Sequence, residues 1–155
     1  MLTFTDVATT LDILLGEDVM FGTVGANTPG VVFLDPKGVN SNYVGVSAQV
    51  GTMTILAANN SSVQLSWPSN IAMEDESAHT LNFVPKLYGS ATNIQSGSTE
   101  LVPTGGKVTL AMNAQGNYYV WVGGSIGGSG TTPASLFAQA VGAYMGNLTF
   151  SVVYN

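Results

Sequence analysis

Short hydrophobic runs separated by turn-forming residues are the feature of this sequence that most constrains its fold. The runs are rich in β-branched and aromatic residues, and several alternate apolar with polar residues, a pattern typical of strands. Clusters of Gly, Pro, Asn, Asp and Ser separate them at short intervals. The clearest runs are residues 31–34, 52–56, 63–67, 81–84, 107–112 and 118–122. About ten strands with this spacing predict an all-β sandwich.

The end of the chain shows the strictest alternation. Side chains along a strand point to opposite faces with a period of two. One face would carry the apolar residues Leu148, Phe150, Val152 and Tyr154. The other face would carry Thr149, Ser151 and Val153 and is mostly polar. We therefore predict a terminal strand with one apolar face.

Two interpretations remain open for residues 132–142. In a short helix, Thr132 would be the cap, Pro133 the first helical residue and Gly142 the residue after the end. The alternative is an irregular loop. The preceding glycines, at positions 123, 124, 127, 128 and 130, are expected to form a flexible loop. They do not predict a phosphate site, because no Lys-Ser/Thr pair follows them.

Composition argues against several classes of partner. Charged residues make up 8% of the chain, against an ordinary share of roughly 25%. The net charge is −6, with three lysines and no arginine, so neither nucleic acid nor an anionic membrane surface is an expected partner. There is no cysteine, so disulfides are excluded. No apolar run approaches the ~20 residues of a membrane span, so no transmembrane segment is expected.

The composition also predicts a simple domain organisation. No compositional break suggests a second folded unit, so residues 11–155 are expected to form one sandwich, preceded by an N-terminal extension at residues 1–10. Residues 1–6 lack the basic start and long apolar stretch of a secretory signal. If the protein is exported, we expect this numbering to begin at the mature chain or at an added Met.

The titratable residues do not suggest an enzyme. His79 is the only histidine, and no Gly-x-Ser-x-Gly elbow accompanies it, so a Ser-His-Asp site is not expected. The acidic residues 74–76 are adjacent and lack the alternate-residue spacing of a calcium loop. They predict a solvated, charged turn. We expect no catalytic residue, no metal site and no cofactor.

The two tryptophans allow a different function. An exposed indole can stack on a sugar ring, whereas a buried Trp packed between sheets is the ordinary outcome in a sandwich. Trp67 stands at the predicted end of a strand, before Pro68, and is the candidate ligand-binding residue. Trp121 lies inside a predicted strand and fits either a core or a surface position.

Three parts of the chain resemble a family of secreted bacterial pilin-like β-sandwich domains of unknown function. The first is residues 11–24, an apolar strand followed by a polar turn and an Asp-apolar-Phe-Gly step. The second is residues 63–69 followed by Ile71, similar to a family strand that ends in Leu-Pro-Ser. The third, the most specific, comprises Val122, Gly123, Gly124, Gln139, Ala140, Gly142, Tyr144, Gly146, Phe150 and Tyr154. Residues 127–133 form a longer insertion than the family would have there.

The ending also resembles subunits of the chaperone-usher pathway, including the archaic spore-coat type. This resemblance implies an immunoglobulin-like sandwich that lacks a strand and is completed by strand exchange between copies. The protein would then be a pilin-like subunit of a fimbrial filament on the cell surface, with a role in adhesion. It would be a homopolymer that is exported with a periplasmic chaperone and an outer-membrane usher.

The resemblance to chaperone-usher subunits also implies which residues form the donor strand and which form the acceptor edge. The donor strand would lie in residues 1–10, with Leu2, Phe4 and Val7 as its inserted side chains. The acceptor edge would include Leu148, Phe150, Val152 and Tyr154. Periodicity alone favours a different interpretation, in which both ends are ordinary strands of a self-complete sandwich, and it is the resemblance that favours strand exchange. A secreted carbohydrate-binding adhesin and a decoration protein of a virus particle are the alternative functions.

Overall fold

The computed structural model describes residues 11–25, 28–127 and 139–155. These ranges contain ten strands and one short 3₁₀ helix at Gln95–Gly97. The strands are β1 Asp12–Leu15, β2 Val32–Leu34, β3 Gly51–Leu56, β4 Ser62–Ser66, β5 Ile71–Glu74, β6 Thr80–Ser90, β7 Thr99–Glu100, β8 Val108–Ala111, β9 Asn117–Gly127 and β10 Ser151–Tyr154.

The larger sheet is built around β6 and β9, which have eleven residues each and pair antiparallel along most of their length. Its main order is β1-β3-β9-β6-β5. The short β2 continues beside β9 beyond the end of β3, and β7 pairs with β6 beyond the end of β5. Burial alternates along β3 and along much of β6, as expected for a sheet with one face on a core.

A smaller sheet of order β10-β4-β8 faces one half of the larger sheet. The alternation predicted for residues 63–67 places Val63 and Leu65 in the interior, where both are fully buried. They belong to one core cluster with Ile55, Leu87 and Val120 of the larger sheet. The all-β sandwich predicted from the sequence is therefore confirmed.

The other half of the larger sheet is covered differently. Its buried residues Val32, Leu81, Phe83 and Ile126 form a second core cluster. The side chains packed against them come mainly from irregular segments and not from a second sheet: Val19, Phe21, Val24, Val44, Tyr144 and Leu148. In the part of the chain described here, the sandwich thus has two sheet layers over only half of its larger sheet.

One sequence prediction was wrong at the glycines of β9. Gly123, Gly124 and Gly127 were expected in a flexible loop, but they belong to a strand that continues to Gly127. Neighbouring backbone leaves no room for a side chain here, since a Cβ on Gly123 would collide with the Leu34 carbonyl oxygen. Gly124 has a φ of 139° and lies against the Val84 carbonyl oxygen, so it also requires glycine. The remaining glycines of that series lie outside the described residues.

Other predictions fall partly on the undescribed ranges. The candidate donor residues Leu2, Phe4 and Val7 lie outside the described residues, as does most of the possible helix at 132–142. Its described end, residues 139–142, is not helical. Among the described residues, no helix has the length and apolar character needed to cross a bilayer.

Candidate functional site

The described structure has an apolar groove of about 990 Å³. It lies over the half of the larger sheet that the smaller sheet leaves uncovered. Its two walls are residues 17–24 and residues 139–148. Its floor is formed by side chains of the larger sheet, among them Met53, Ile71, Met73, Leu81, Phe83, Val122 and Ile126.

The first wall, residues 17–24, is tied to the segment around β3. The backbone groups of Met20 and Gln49 exchange two hydrogen bonds, of 2.9 and 2.7 Å. The Glu17 N–H donates to Thr52 Oγ1 at 2.8 Å. Phe21 meets Phe83 of the floor edge to face, with ring centroids 5.6 Å apart. This wall therefore has a fixed position without being part of a regular strand.

The second wall, residues 139–148, is attached to the β5–β6 hairpin. The backbone groups of Glu74 and Met145 exchange hydrogen bonds of 2.9 and 3.0 Å. Gln139 Nε2 donates to the Thr80 carbonyl oxygen at 3.0 Å and to the Tyr144 hydroxyl at 2.8 Å. The Tyr144 hydroxyl in turn donates to the Ala140 carbonyl oxygen at 2.7 Å. The wall is thus a hydrogen-bonded strap along the edge of the larger sheet.

Several large apolar side chains of the groove are exposed to solvent. The exposed fractions are 73% for Leu15, 43% for Met20, 86% for Val141 and 79% for Met145. An apolar groove surrounded by exposed apolar side chains marks an interaction surface. Sequence reasoning missed these residues because none of them lies on the apolar face of a predicted alternating strand. The available signal was that three of them, Leu15, Val141 and Met145, stand directly before a glycine.

The four residues of the predicted acceptor edge occupy two environments. Leu148 and Phe150 line the groove. Val152 packs against the core beneath the smaller sheet. Tyr154 is 42% exposed, and its hydroxyl oxygen accepts a hydrogen bond from the Ala58 N–H at 3.0 Å. The groove thus contains the first two residues of the edge and not the last two.

The strand that follows the groove has a free edge. β10 pairs with β4 over Ser151–Tyr154, and among the described strands it has no neighbour on its other side. Partly buried and exposed residues already alternate from Leu148 onwards, although residues 148–150 are not paired with β4. The groove reaches Phe150, which directly precedes this edge strand.

The Asp75 carboxylate organises the turn between β5 and β6. Asp75 Oδ1 accepts hydrogen bonds from the N–H groups of Ser77 and His79, and Asp75 Oδ2 lies 2.8 Å from His79 Nδ1. Loss of hydration would raise the Asp75 pKa, but these hydrogen bonds and the nearby His79 together lower it below its usual range. Among the described residues, no three His, Cys, Asp or Glu side chains are grouped as metal ligands would be.

Trp67 and Trp121 have different surroundings. Trp121 is 6% exposed, the buried outcome that is ordinary in a sandwich. Trp67 follows β4, packs partly against the core and lines a cleft of about 230 Å³ at the edge of the molecule. The groove and this cleft are on different surfaces, with no lining residue in common.

The sequence and the fold were also compared with known proteins. No family model matches the chain, and neither a curated protein nor a solved structure does.

Proposed function

We propose that the protein is a structural subunit of an extracellular filament in which a strand of one copy enters the groove of the next copy. The observation that carries this proposal is the apolar groove beside the edge of β10 that has no neighbour among the described strands. In strand addition, backbone hydrogen bonds give affinity and alternate side chains fill pockets. This surface offers both kinds of contact.

The exposed groove side chains supply the driving force for such an assembly. Full burial of one large aliphatic side chain contributes roughly 1.5–3 kcal/mol. Val141 and Met145 are 86% and 79% exposed, so most of this contribution is available on association. An inserted strand would also pair backbone groups along β10 that otherwise depend on water.

Residues 1–10 are the proposed donor, with Leu2, Phe4 and Val7 as the inserted side chains. They join the described chain at Leu11, next to Asp12, which pairs with Leu56. The groove lies near the other end of β1, where Leu15 pairs with Met53. Three residue steps along a strand span about 10 Å. The extension therefore starts at the end of β1 away from the groove of its own chain.

If each copy donates its strand to the next copy, the contacts continue in one direction and produce a filament. The donor and the groove are different surfaces of the chain, so each contact between copies is heterologous. Contacts of this kind continue from copy to copy when the rotation between copies does not close a ring. A groove left open during export would associate prematurely, so the proposal includes a periplasmic chaperone that covers it, an outer-membrane usher and a cell-surface location.

The competing occupant of the groove is residues 128–138 of the same chain. This segment follows Gly127 and precedes Gln139, and both Ile126 and Gln139 line the groove. It contains two large apolar residues, Leu136 and Phe137. If these residues fill the groove of their own chain, no donor from another copy is needed.

Deletion of residues 1–10 tests the proposal. We expect the full chain to form filaments in electron micrographs and the shortened chain to remain monomeric in size-exclusion chromatography. A synthetic peptide of residues 1–10 should bind the shortened chain, and the same peptide with Phe4→Asp should not, because a charge would enter an apolar site. Filaments formed normally by the shortened chain would refute the donor assignment. A full chain that remains monomeric would indicate that the groove is filled from within.

A further inference from the structure

The cleft at Trp67 is created by a gap along the outer edge of β6. β5 pairs with β6 only as far as Phe83, and β7 begins to pair at Tyr88. Residues 84–86 therefore have no strand partner on that side in the described structure. Pro85 lies in the gap and has no N–H to leave unpaired, so the edge can remain open at low cost. The resulting recess has a volume of about 230 Å³.

The lining of the cleft is apolar on its walls and charged at one side. Trp67, Pro85, Leu101, Val102 and Pro103 supply apolar surface. Lys86 and Glu100 also line the cleft, and Lys86 Nζ is 3.5 Å from Glu100 Oε1. Their side chains are 37% and 44% exposed, so neither is buried in the described structure. Ser69 adds a hydroxyl.

Lys86 has contacts with two aromatic rings besides its pairing with Glu100. Lys86 Nζ lies 5.7 Å from the ring centroid of Phe33 and 5.9 Å from that of Tyr88, within the distance of cation–π attraction. The Lys86 ammonium has three donors, and the Glu100 carboxylate has several acceptor positions. The ion pair uses only part of this capacity. The pair can therefore donate to one ligand hydroxyl and accept from another.

We propose that this cleft binds one pyranose ring of an uncharged sugar. A pyranose has an apolar C–H face that can lie on the Trp67 ring and vicinal hydroxyls that can bond to Lys86 and Glu100. The volume is below the roughly 300–1,000 Å³ of sites for drug-sized ligands, so it suits a single ring. The net charge of −6 disfavours an acidic sugar.

A peptide side chain fits the cleft less well. A proline or aromatic residue would match the apolar walls, but it would cover Lys86 and Glu100 without replacing their hydrogen bonds to water. Charged groups covered in this way lose hydration that an apolar ligand does not restore. A sugar hydroxyl can both donate and accept a hydrogen bond, so it suits the Lys86 ammonium as well as the Glu100 carboxylate. The chemistry of the cleft therefore favours the sugar.

The test is a titration of the full chain with methyl glycosides of glucose, galactose and mannose and with N-acetylglucosamine. Trp121→Phe leaves Trp67 as the only indole, so its fluorescence reports on the cleft directly. We expect one of these sugars to change this fluorescence with a Kd near 1 mM, the range of a weak single-ring contact. Ligand-observed NMR should show saturation transfer to the C–H face of the same sugar.

Variants locate the binding. Glu100→Gln and Lys86→Met should each weaken it by about fivefold, the effect of one lost hydrogen bond. Trp67→Tyr keeps an aromatic ring and should also weaken it, with the fold verified by circular dichroism. Lys37→Met is the control, since Lys37 also lies over Tyr88 but does not line the cleft. The proposal is refuted if none of the sugars binds at about 50 mM, or if binding occurs and is unchanged in Glu100→Gln and Lys86→Met. Neither result depends on filament formation.

Discussion

At the scale of single residues, two aspartates determine the shape of loops that the sequence marked only as turns. Asp35 accepts hydrogen bonds from the N–H groups of Lys37, Val39 and Asn40. Burial alone would raise the Asp35 pKa, but these three donors and the positive charge of Lys86 lower it below its usual range. Asp75 acts in the same way in the β5–β6 turn. It also lies against Gly142, so it connects this turn with the second wall of the groove.

We predict that Asp75→Asn reduces the acid sensitivity of the protein. The folded-state pKa of Asp75 lies below its ordinary value of 3.8, so the carboxylate contributes stability above that pH. This contribution is lost as the pH falls through the folded pKa. The variant should therefore have a lower Tm at pH 7 and a smaller decrease in Tm between about pH 5 and pH 2. Scanning calorimetry over this range measures both effects.

The control for this prediction is Glu76→Gln in the same exposed turn. Glu76 lies next to Asp75 in sequence, and the variant removes the same charge without touching the Asp75 hydrogen bonds. Its Tm should follow the parent protein over the whole pH range. Equal pH profiles for Asp75→Asn and the parent would show that this carboxylate does not contribute to acid unfolding.

At the scale of secondary structure elements, alternation in the sequence identified the core strands but not their ends. Val63 and Leu65 of β4 and Ile55 of β3 are fully buried where period-two patterns predicted apolar faces. The long strands β6 and β9 were missed beyond Val84 and Val122, because Pro85, Gly123 and Gly124 have the composition of turns. Their place in strands depends on close contacts with backbone distant in sequence, which a local pattern does not contain. The groove depends on such contacts throughout, so only Leu148 and Phe150 were predicted among its lining residues.

The pairing of β6 with β9 gives a prediction at this scale. Gly89 lies beneath the Tyr118 ring, and a Cβ on Gly89 would be 2.5 Å from Tyr118 Cε1. Gly89→Ala should therefore force this ring away from the sheet and lower the free energy of unfolding by about 1–3 kcal/mol. Urea unfolding measures the difference. Gly97→Ala is the control, since its nearest neighbour would be Ile94 Cγ2 at 3.8 Å, an ordinary contact. A similar loss in both variants would contradict the steric explanation.

At the scale of the whole molecule, the two halves of the sandwich differ in how the larger sheet is covered. One half has two sheets and a closed core, and the other half covers its larger sheet with two irregular walls and a groove. The contacts of Val19 and Leu148 with both core clusters link these halves. A chain with few charges and an apolar groove is expected to associate through that groove. The test of this idea must reduce association without disturbing the fold.

Val141 and Met145 permit such a test, because both line the groove and are largely exposed. Changing both to Ser in one variant (Val141→Ser and Met145→Ser) should leave the Tm within about 2 °C of the parent, since few packing contacts are lost. Under the proposed function, the same variant should form filaments at least tenfold more slowly, because it removes apolar area that the proposed contact between copies would bury. Light scattering and electron microscopy measure this rate.

The matched control is Val46→Ser, which removes an apolar side chain that is fully exposed and does not line the groove. Its filament formation should equal that of the parent protein. If it is slowed as much as the groove variant, association depends on general surface hydrophobicity and not on the groove. If the groove variant assembles at the normal rate, the contact between copies must use another surface, and the free edge of β10 becomes the next region to block.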